Sequence, residues 1–202
     1  MPRLIPCVLA LLLASSLPLA AAESVTRNQV LEAIRVFEAN ASGDMADAKP
    51  ETQKNDAVAR ASNTILKYSL ESDDVVVDLG PDAVPWCDVK KGIAELSNSG
   101  ERGLLLAAYL AGCVKAQLSS GKQDANPYAG WTAMLKIYRA IKIREGVSIP
   151  EADQLLAHQN DGSLEAFSVE ASRRSAERLR KTYGTPAGQP KDDSGSQGKS
   201  AA

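Results

Sequence analysis

Apolar and polar positions alternate along most of the chain with the period of an α-helix. Apolar side chains that recur three and four residues apart fall on one helix face, as Val30, Ile34, Phe37 and Ala41 do. Clusters of Gly, Pro, Ser and Asn separate the stretches with this spacing. The pattern therefore predicts an all-α fold, a compact bundle or array of about six helices. The stretches predicted to be helical are residues 26–40, 50–70, 88–96, 101–119, 127–144, about 150–159 and 163–182.

Residues 101–119 are predicted to form the central helix. Its middle part, LLLAAYLAGCV, is apolar on every side, so we expect neighbouring helices to cover it on every side. Gly and Ala recur at every fourth residue, and small side chains let helices approach closely. They form two rows, Gly103, Ala107 and Ala111 in one and Ala108, Gly112 and Ala116 in the other.

Residues 71–87 contain the one pattern that is typical of a β-strand, Val75-Val76-Val77. A single strand cannot form a sheet, so we predict an extended connection that packs against helices. Trp86 is expected to fill a groove between helices, because its large ring buries a large apolar area.

Two helix starts have the spacing of a capping box, in which a Ser or Thr and a Glu or Gln bond each other's backbone N–H groups. Thr26 and Gln29 predict one box before the first helix, and Ser148 and Glu151 predict another around Pro150. The last helix is predicted to turn a thin apolar stripe towards the core, made of Leu164, Phe167, Ala171 and Leu179.

Residues 1–22 have the features of a secretory signal peptide. Arg3 supplies a positive charge, residues 4–13 are almost wholly apolar, and small residues precede the expected cleavage site after Ala22. The apolar stretch is shorter than the ~20 residues of a membrane span. We therefore predict a single periplasmic or secreted helical domain of residues 23–183 with no membrane span, followed by a disordered tail of residues 184–202 that is poor in apolar side chains.

The charge of the chain excludes some classes of partner. Removal of residues 1–22 leaves 22 basic and 25 acidic side chains, a net charge of −3, which argues against a nucleic-acid-binding protein. Basic residues are concentrated in the last helix, where Arg173, Arg174 and Arg178 lie. Cations stabilise the carboxyl end of a helix, and the same arginines are candidates for contact with an anionic polymer or another envelope protein.

Two cysteines, Cys87 and Cys113, remain after the predicted cleavage. A Trp beside a Cys is found in dithiol redox sites, but Lys90 stands where the second thiol would be needed. An even pair of cysteines in an oxidising compartment is typical of a disulfide. We therefore predict a disulfide between Cys87 and Cys113 that fastens the segment around Trp86 to the central helix.

The sequence offers few residues for catalysis. His158 is the single histidine, which argues against a Ser-His-Asp triad and against a His-rich metal site. No glycine-rich phosphate loop is present, so neither a cofactor nor a metal is predicted. The acidic residues between Glu71 and Asp88 are interpreted as solvated loop charge, with a Ca²⁺ site as the alternative.

These features favour an exported, non-catalytic binding or scaffold protein of the bacterial cell envelope, with Trp86 and the three arginines as candidate contacts. The alternative is a helical hydrolase that cleaves an envelope glycan with carboxylates alone. Glu95 and Glu101 are its candidate acids, because they border the central helix. A pocket around a partly buried carboxylate would favour the hydrolase, and a shallow apolar groove would favour binding.

Overall fold

The computed structural model describes residues 24–41, 51–87 and 100–184. Within these ranges the fold is all-α, as predicted, and each observed helix begins and ends within one residue of its predicted bounds. The predictions for residues 1–22, 88–96 and 185–202 lie outside the described residues. The six helices of the described ranges are α1 (Arg27–Ala41), α2 (Glu51–Glu71), α3 (Glu101–Ser120), α4 (Tyr128–Glu145), α5 (Pro150–Asn160) and α6 (Leu164–Tyr183).

Helix α3 lies at the centre of the described bundle. It packs against α1, α2 and α4, while α5 and α6 pack against α4 and against each other. All of residues 105–114 are buried, which confirms the prediction of a helix that is covered on every side. The largest fully buried side chains include Phe37, Trp86, Tyr109, Trp131 and Tyr138.

Helices α3 and α4 approach closely because glycines lie at their contact. A Cβ atom at Gly112 would lie 2.5 Å from the carbonyl oxygen of Ala129 on α4. A Cβ atom at Gly130 would lie 2.6 Å from the sulfur of Cys113 and would also collide with the ring of Tyr109. Close-packed interiors do not tolerate such overlaps, so the small residues predicted to permit close packing do so here.

The capping box predicted for the first helix is confirmed. The Thr26 N–H donates to Gln29 Oε1 at 2.7 Å, and the Gln29 N–H donates to the Thr26 hydroxyl at 3.3 Å. These reciprocal bonds satisfy two backbone groups that a helix start otherwise leaves without partners.

The capping box predicted before α5 is wrong. Ser148 is not paired with Glu151; its hydroxyl donates to Asp153 at 2.7 Å. Asp153 also accepts a hydrogen bond from the Tyr138 hydroxyl at 2.7 Å and one from Lys142. Because a carboxylate can accept several bonds at once, Asp153 ties the turn before α5 to α4.

The connecting segment, residues 72–87, pairs with no strand of the described chain. Turns and bends occupy residues 73–74 and 80–87, and residues 75–79 between them have no regular secondary structure. The side-chain amide of Gln117 on α3 forms the two bonds that a neighbouring strand would form. It accepts a hydrogen bond from the Val76 N–H at 2.9 Å and donates one to the Val76 carbonyl at 2.8 Å. Gln117 is only 5% exposed, so little water competes for these bonds. The prediction of a connection that packs against helices without forming a sheet is confirmed. The prediction that it is extended as far as Cys87 is wrong, because residues 80–87 form turns in which the Ala83 and Val84 N–H groups donate to the Gly80 carbonyl.

Two aromatic side chains fasten the rest of the connecting segment. The Tyr109 hydroxyl on α3 donates to the Asp78 carbonyl at 2.9 Å, and Trp131 Nε1 on α4 donates to the Ala83 carbonyl at 2.6 Å. Buried backbone carbonyls need partners. These two bonds therefore let the segment lie within the bundle although it forms no regular ladder.

The predicted disulfide is wrong, because Cys87 and Cys113 are separate, buried free thiols that are too far apart to bond. Cys87 lies near Arg102 in the first turn of α3. Cys113 is eleven residues further along the chain than Arg102, about 16 Å at the rise of an α-helix. Burial raises the pKa of both thiols to about 12, so both stay protonated and unreactive at neutral pH.

Candidate functional site

Helices α2 and α3 form the walls of a groove of about 430 Å³. This volume falls within the ~300–1,000 Å³ that is usual for small-molecule sites. The described residues that line it carry no charged side chain. The apolar and small residues of the lining are Val58, Ala59 and Leu66 on α2, and Gly103, Leu104, Leu106, Ala107 and Leu110 on α3.

Polar groups border the groove on the α2 side. Asn55 and Asn63 are exposed at its rim, and each amide can both donate and accept hydrogen bonds. The Ser62 hydroxyl is already engaged, because it donates to the Val58 carbonyl at 2.8 Å. The groove therefore combines an apolar floor with uncharged hydrogen-bonding groups along one edge.

A more open concavity of about 520 Å³ lies between the start of α1 and α2. Glu32 is the charged residue of its described lining. Arg35 binds this carboxylate at 2.7 Å, and both side chains are largely exposed. We therefore regard the more enclosed α2–α3 groove as the candidate site.

The structure places one of the two candidate catalytic acids. Glu95 lies outside the described residues. Glu101 is exposed in the first turn of α3 and does not line the groove, although Gly100 and Gly103 on either side of it do. The one candidate acid that the structure describes therefore lies outside the candidate site.

The described carboxyl groups whose pKa departs from its ordinary value all shift in the direction that opposes acid catalysis. A catalytic acid at neutral pH needs a raised pKa, whereas these values are lowered. The affected groups are Glu32, Asp153, Asp161 and Glu170, and the main cause in each is a hydrogen bond from a neighbouring side chain.

Trp86, a candidate binding residue, lies in the core. Its side chain is fully buried, and its ring meets that of Tyr109 edge-on with centroids 5.9 Å apart. Its carbonyl accepts a hydrogen bond from Arg102 at the start of α3. The ring thus fills a space between elements, as predicted, and has no exposed face on which a ligand could lie.

The three candidate arginines already form ion pairs within the protein. Arg174 and Arg178 both pair with Asp82 of the connecting segment, with Arg174 Nε 3.0 Å from the carboxylate. Arg173 pairs with Glu170 on its own helix at 2.7 Å. An anionic polymer would therefore have to compete with these carboxylates for the positive charge.

The acidic residues of the connecting segment are likewise engaged. Asp74 accepts a hydrogen bond from the Tyr68 hydroxyl at 2.8 Å, and Asp78 accepts one from the Gly80 N–H at 2.7 Å. Among the described residues, no group of three or more His, Cys, Asp or Glu side chains is placed to hold a metal ion.

Within the described part of the chain, α3 is the one helix long and apolar enough to cross a membrane. The bundle buries 72% of its most apolar window. Core helices of globular proteins have the same composition, so this feature is weak support for a membrane span.

The sequence indicates only part of what forms the groove. The row of Gly103 and Ala107 on α3 indicates a close approach to a neighbouring helix. Ala59 and Ser62 supply short side chains on the facing side of α2. Two short-chain surfaces that face each other leave space between them, but the sequence does not say which helices face each other.

Comparison with known proteins gives no relative from which a function could be transferred. No family model, no curated protein and no solved structure matches this chain.

Proposed function

We propose that this chain is an exported, non-catalytic binding protein of the bacterial cell envelope, whose α2–α3 groove takes an uncharged, mostly apolar ligand. The observation that carries the proposal is the lining of the groove, where apolar side chains and amides meet and the described residues supply no carboxylate. A groove whose lining has no ionisable groups is suited to binding a ligand through apolar contacts.

The lining also limits the class of ligand. A charged group in the groove would lose water and meet no described opposite charge, which costs free energy. An apolar chain along Leu66 and Leu104, which are both half-buried, would be favoured by the area that it buries. Asn55 and Asn63 could bond a hydroxyl or carbonyl at one end. We therefore propose an amphiphile with an acyl-type chain and an uncharged polar head.

The experiment uses the uncharged fluorescent probe N-phenyl-1-naphthylamine, whose emission rises in apolar surroundings. We expect saturable binding that a long-chain monoacylglycerol displaces. Ala59→Phe puts a ring into the groove from an exposed position and should weaken probe binding about tenfold or more. Ala157→Phe is the matched control, because Ala157 is exposed on α5 and lines no part of the groove. Equal binding by the two variants would contradict the proposal.

The glycan hydrolase remains the second candidate, and it has a test of its own. If the protein is a glycan hydrolase, the wild type should release fragments from purified peptidoglycan. Glu101→Gln should then abolish the release while leaving the melting temperature unchanged. The exposed position of Glu101 gives this outcome no support.

Export is tested separately, by mass spectrometry of protein from its native host. A mature N-terminus at Glu23 is expected, and one at Met1 would contradict export.

A further inference from the structure

Helix α6 carries large apolar side chains on an exposed face as well as on the face that packs on the core. The core face holds Leu164, Ser168, Ala171 and Ser175, which are buried, and Phe167, which is half-buried. Val169 and Leu179 are 58% and 57% exposed, and Tyr183 is 82% exposed. Leu179, predicted from the sequence to face the core, therefore does not. These three large apolar side chains are therefore left in contact with water, and a partner that covered them would gain free energy from their burial.

The exposed side chains of α6 belong to a continuous stripe. Val169, Ser172, Ala176, Leu179 and Tyr183 follow one another at alternating steps of three and four residues, and all are exposed except Ser172, which is half-buried. That spacing keeps side chains on the seam of a two-helix contact. At about 100° per residue, the stripe lies about a quarter turn from the buried face. A second helix could therefore lie beside α6 without displacing it from the bundle.

Charges along the stripe indicate what kind of helix would cover it. Arg173 and Arg180 lie seven residues apart along its solvent side. Arg173 is paired with Glu170, whereas Arg180 is exposed and has no ion-pair partner among the described residues. A helix with Asp or Glu beside its apolar seam would match this row.

Two other occupants fit less well. In an antiparallel pair of α6 helices centred between Ala176 and Glu177, Arg173 of one copy would face Arg180 of the other, and like charges repel. The chain beyond Gly184 contains no Val, Leu, Ile, Met, Phe, Tyr or Trp, so it has no large apolar side chain to place on the stripe.

We propose that the exposed stripe of α6 is an interaction surface for an amphipathic helix of another protein, with acidic residues flanking its apolar seam. The surface is separate from the α2–α3 groove, so a negative result for one of the two proposals would not affect the other. Leu179 and Tyr183 form its apolar contact, and Arg180 selects the charge of the partner.

The test uses the full chain and two synthetic helical peptides of about three heptads each. Both carry Leu at the seam positions; one has Glu at the flanking positions and the other has Lys. Binding is measured by fluorescence anisotropy. We expect the Glu peptide to bind about tenfold more tightly than the Lys peptide. Leu179→Glu should weaken its binding about tenfold or more, and Arg180→Glu should reverse the preference.

Ile143→Glu is the matched control, because Ile143 is 86% exposed at the far end of α4 and should leave binding unchanged. A charge preference that survives Arg180→Glu would overturn the proposal, as would absence of binding. Self-association in sedimentation that Leu179→Glu abolishes would assign the stripe to a second copy instead. Binding to phosphatidylglycerol vesicles that the same variant abolishes would assign it to a lipid surface.

Discussion

At the scale of single residues, the polar atoms of a few core side chains decide where the connecting segment lies. Gln117, Tyr109 and Trp131 each donate a hydrogen bond to a carbonyl of that segment. A buried carbonyl without a partner costs free energy comparable to a lost hydrogen bond. These side chains therefore let a segment without regular secondary structure pack against the helices of the bundle.

Gln117→Leu should destabilise the protein by about 1–3 kcal/mol, because it leaves the N–H and carbonyl of Val76 without their partner. Urea denaturation measures the free energy of unfolding, and hydrogen exchange at the Val76 amide should become faster. Gln154→Leu is the matched control, since Gln154 is exposed on α5; its effect should stay within about 0.5 kcal/mol. Equal stabilities of the two variants would contradict the role of Gln117.

Asp153 should make stability depend on pH in the acid range. Hydrogen bonds from Lys142 and Tyr138 hold its pKa at about 2, below the value of 3.8 that it has without them. A lowered pKa stabilises the fold above pH 4, and this contribution is lost as the pH falls from about 4 to about 2. The melting temperatures of wild type and Asp153→Asn should differ at pH 5 and converge near pH 2. A constant difference would mean that the charge of Asp153 is not responsible.

The sequence could not identify which of these polar residues matter. A Gln near the end of an apolar helix looks like a surface residue, and Arg174 looks like part of a basic patch. Their partners, Val76 and Asp82, lie 41 and 92 residues away along the chain. Such distances are closed by the arrangement of the helices, which local spacing does not encode.

At the scale of the elements, α3 uses its two rows of small residues in two ways. Gly112 belongs to one row and brings the backbone of α4 into contact. Gly103 and Ala107 belong to the other and line the groove beside α2. Periodicity predicted which face of each described helix is apolar, and the turn residues between the periodic stretches predicted where each helix begins and ends. It could not predict which neighbour covers each face, so the groove followed only from the structure.

Gly130→Ala should destabilise the contact between α3 and α4. Alanine favours a helix over glycine by about 1 kcal/mol, but the added Cβ would meet the Cys113 sulfur at 2.6 Å. Overpacking of this kind costs about 1–3 kcal/mol, so thermal denaturation should show a net loss. Addition of Cys113→Ala removes that sulfur and should recover part of the loss. A Gly130→Ala protein more stable than wild type would show that the helices can move apart.

At the scale of the whole molecule, no covalent link among the described residues holds the fold together. Cys87 meets α3 at its first turn, whereas the Cys113 sulfur lies against Gly130 on α4. Counting cysteines predicted the wrong outcome because it carries no information about the distance between them. The described residues are therefore held together by packing and by non-covalent bonds such as those of the connecting segment.

The melting temperature should be the same with and without dithiothreitol. Cys87→Ser and Cys113→Ser each place a hydroxyl in a buried site and should each destabilise the protein. Because the two thiols are separate, the double variant should lose about the sum of the two single losses. The opposite result would support a disulfide between Cys87 and Cys113. In that case the double variant would be no less stable than either single variant, and the wild type would melt at a lower temperature in reductant.

The ion pair between Asp82 and Arg174 joins residues 92 positions apart. Synthesis proceeds from the N-terminus, so α1, α2 and α3 are complete before the arginine side of this pair exists. During that interval the carboxylate of Asp82 lacks its cationic partners, and the connecting segment has fewer contacts that hold it against the helices. The segment gains these contacts only when α6 has been made. Stalled chains that end before residue 174 should therefore be cut by proteases within residues 72–87, while chains that include α6 should resist.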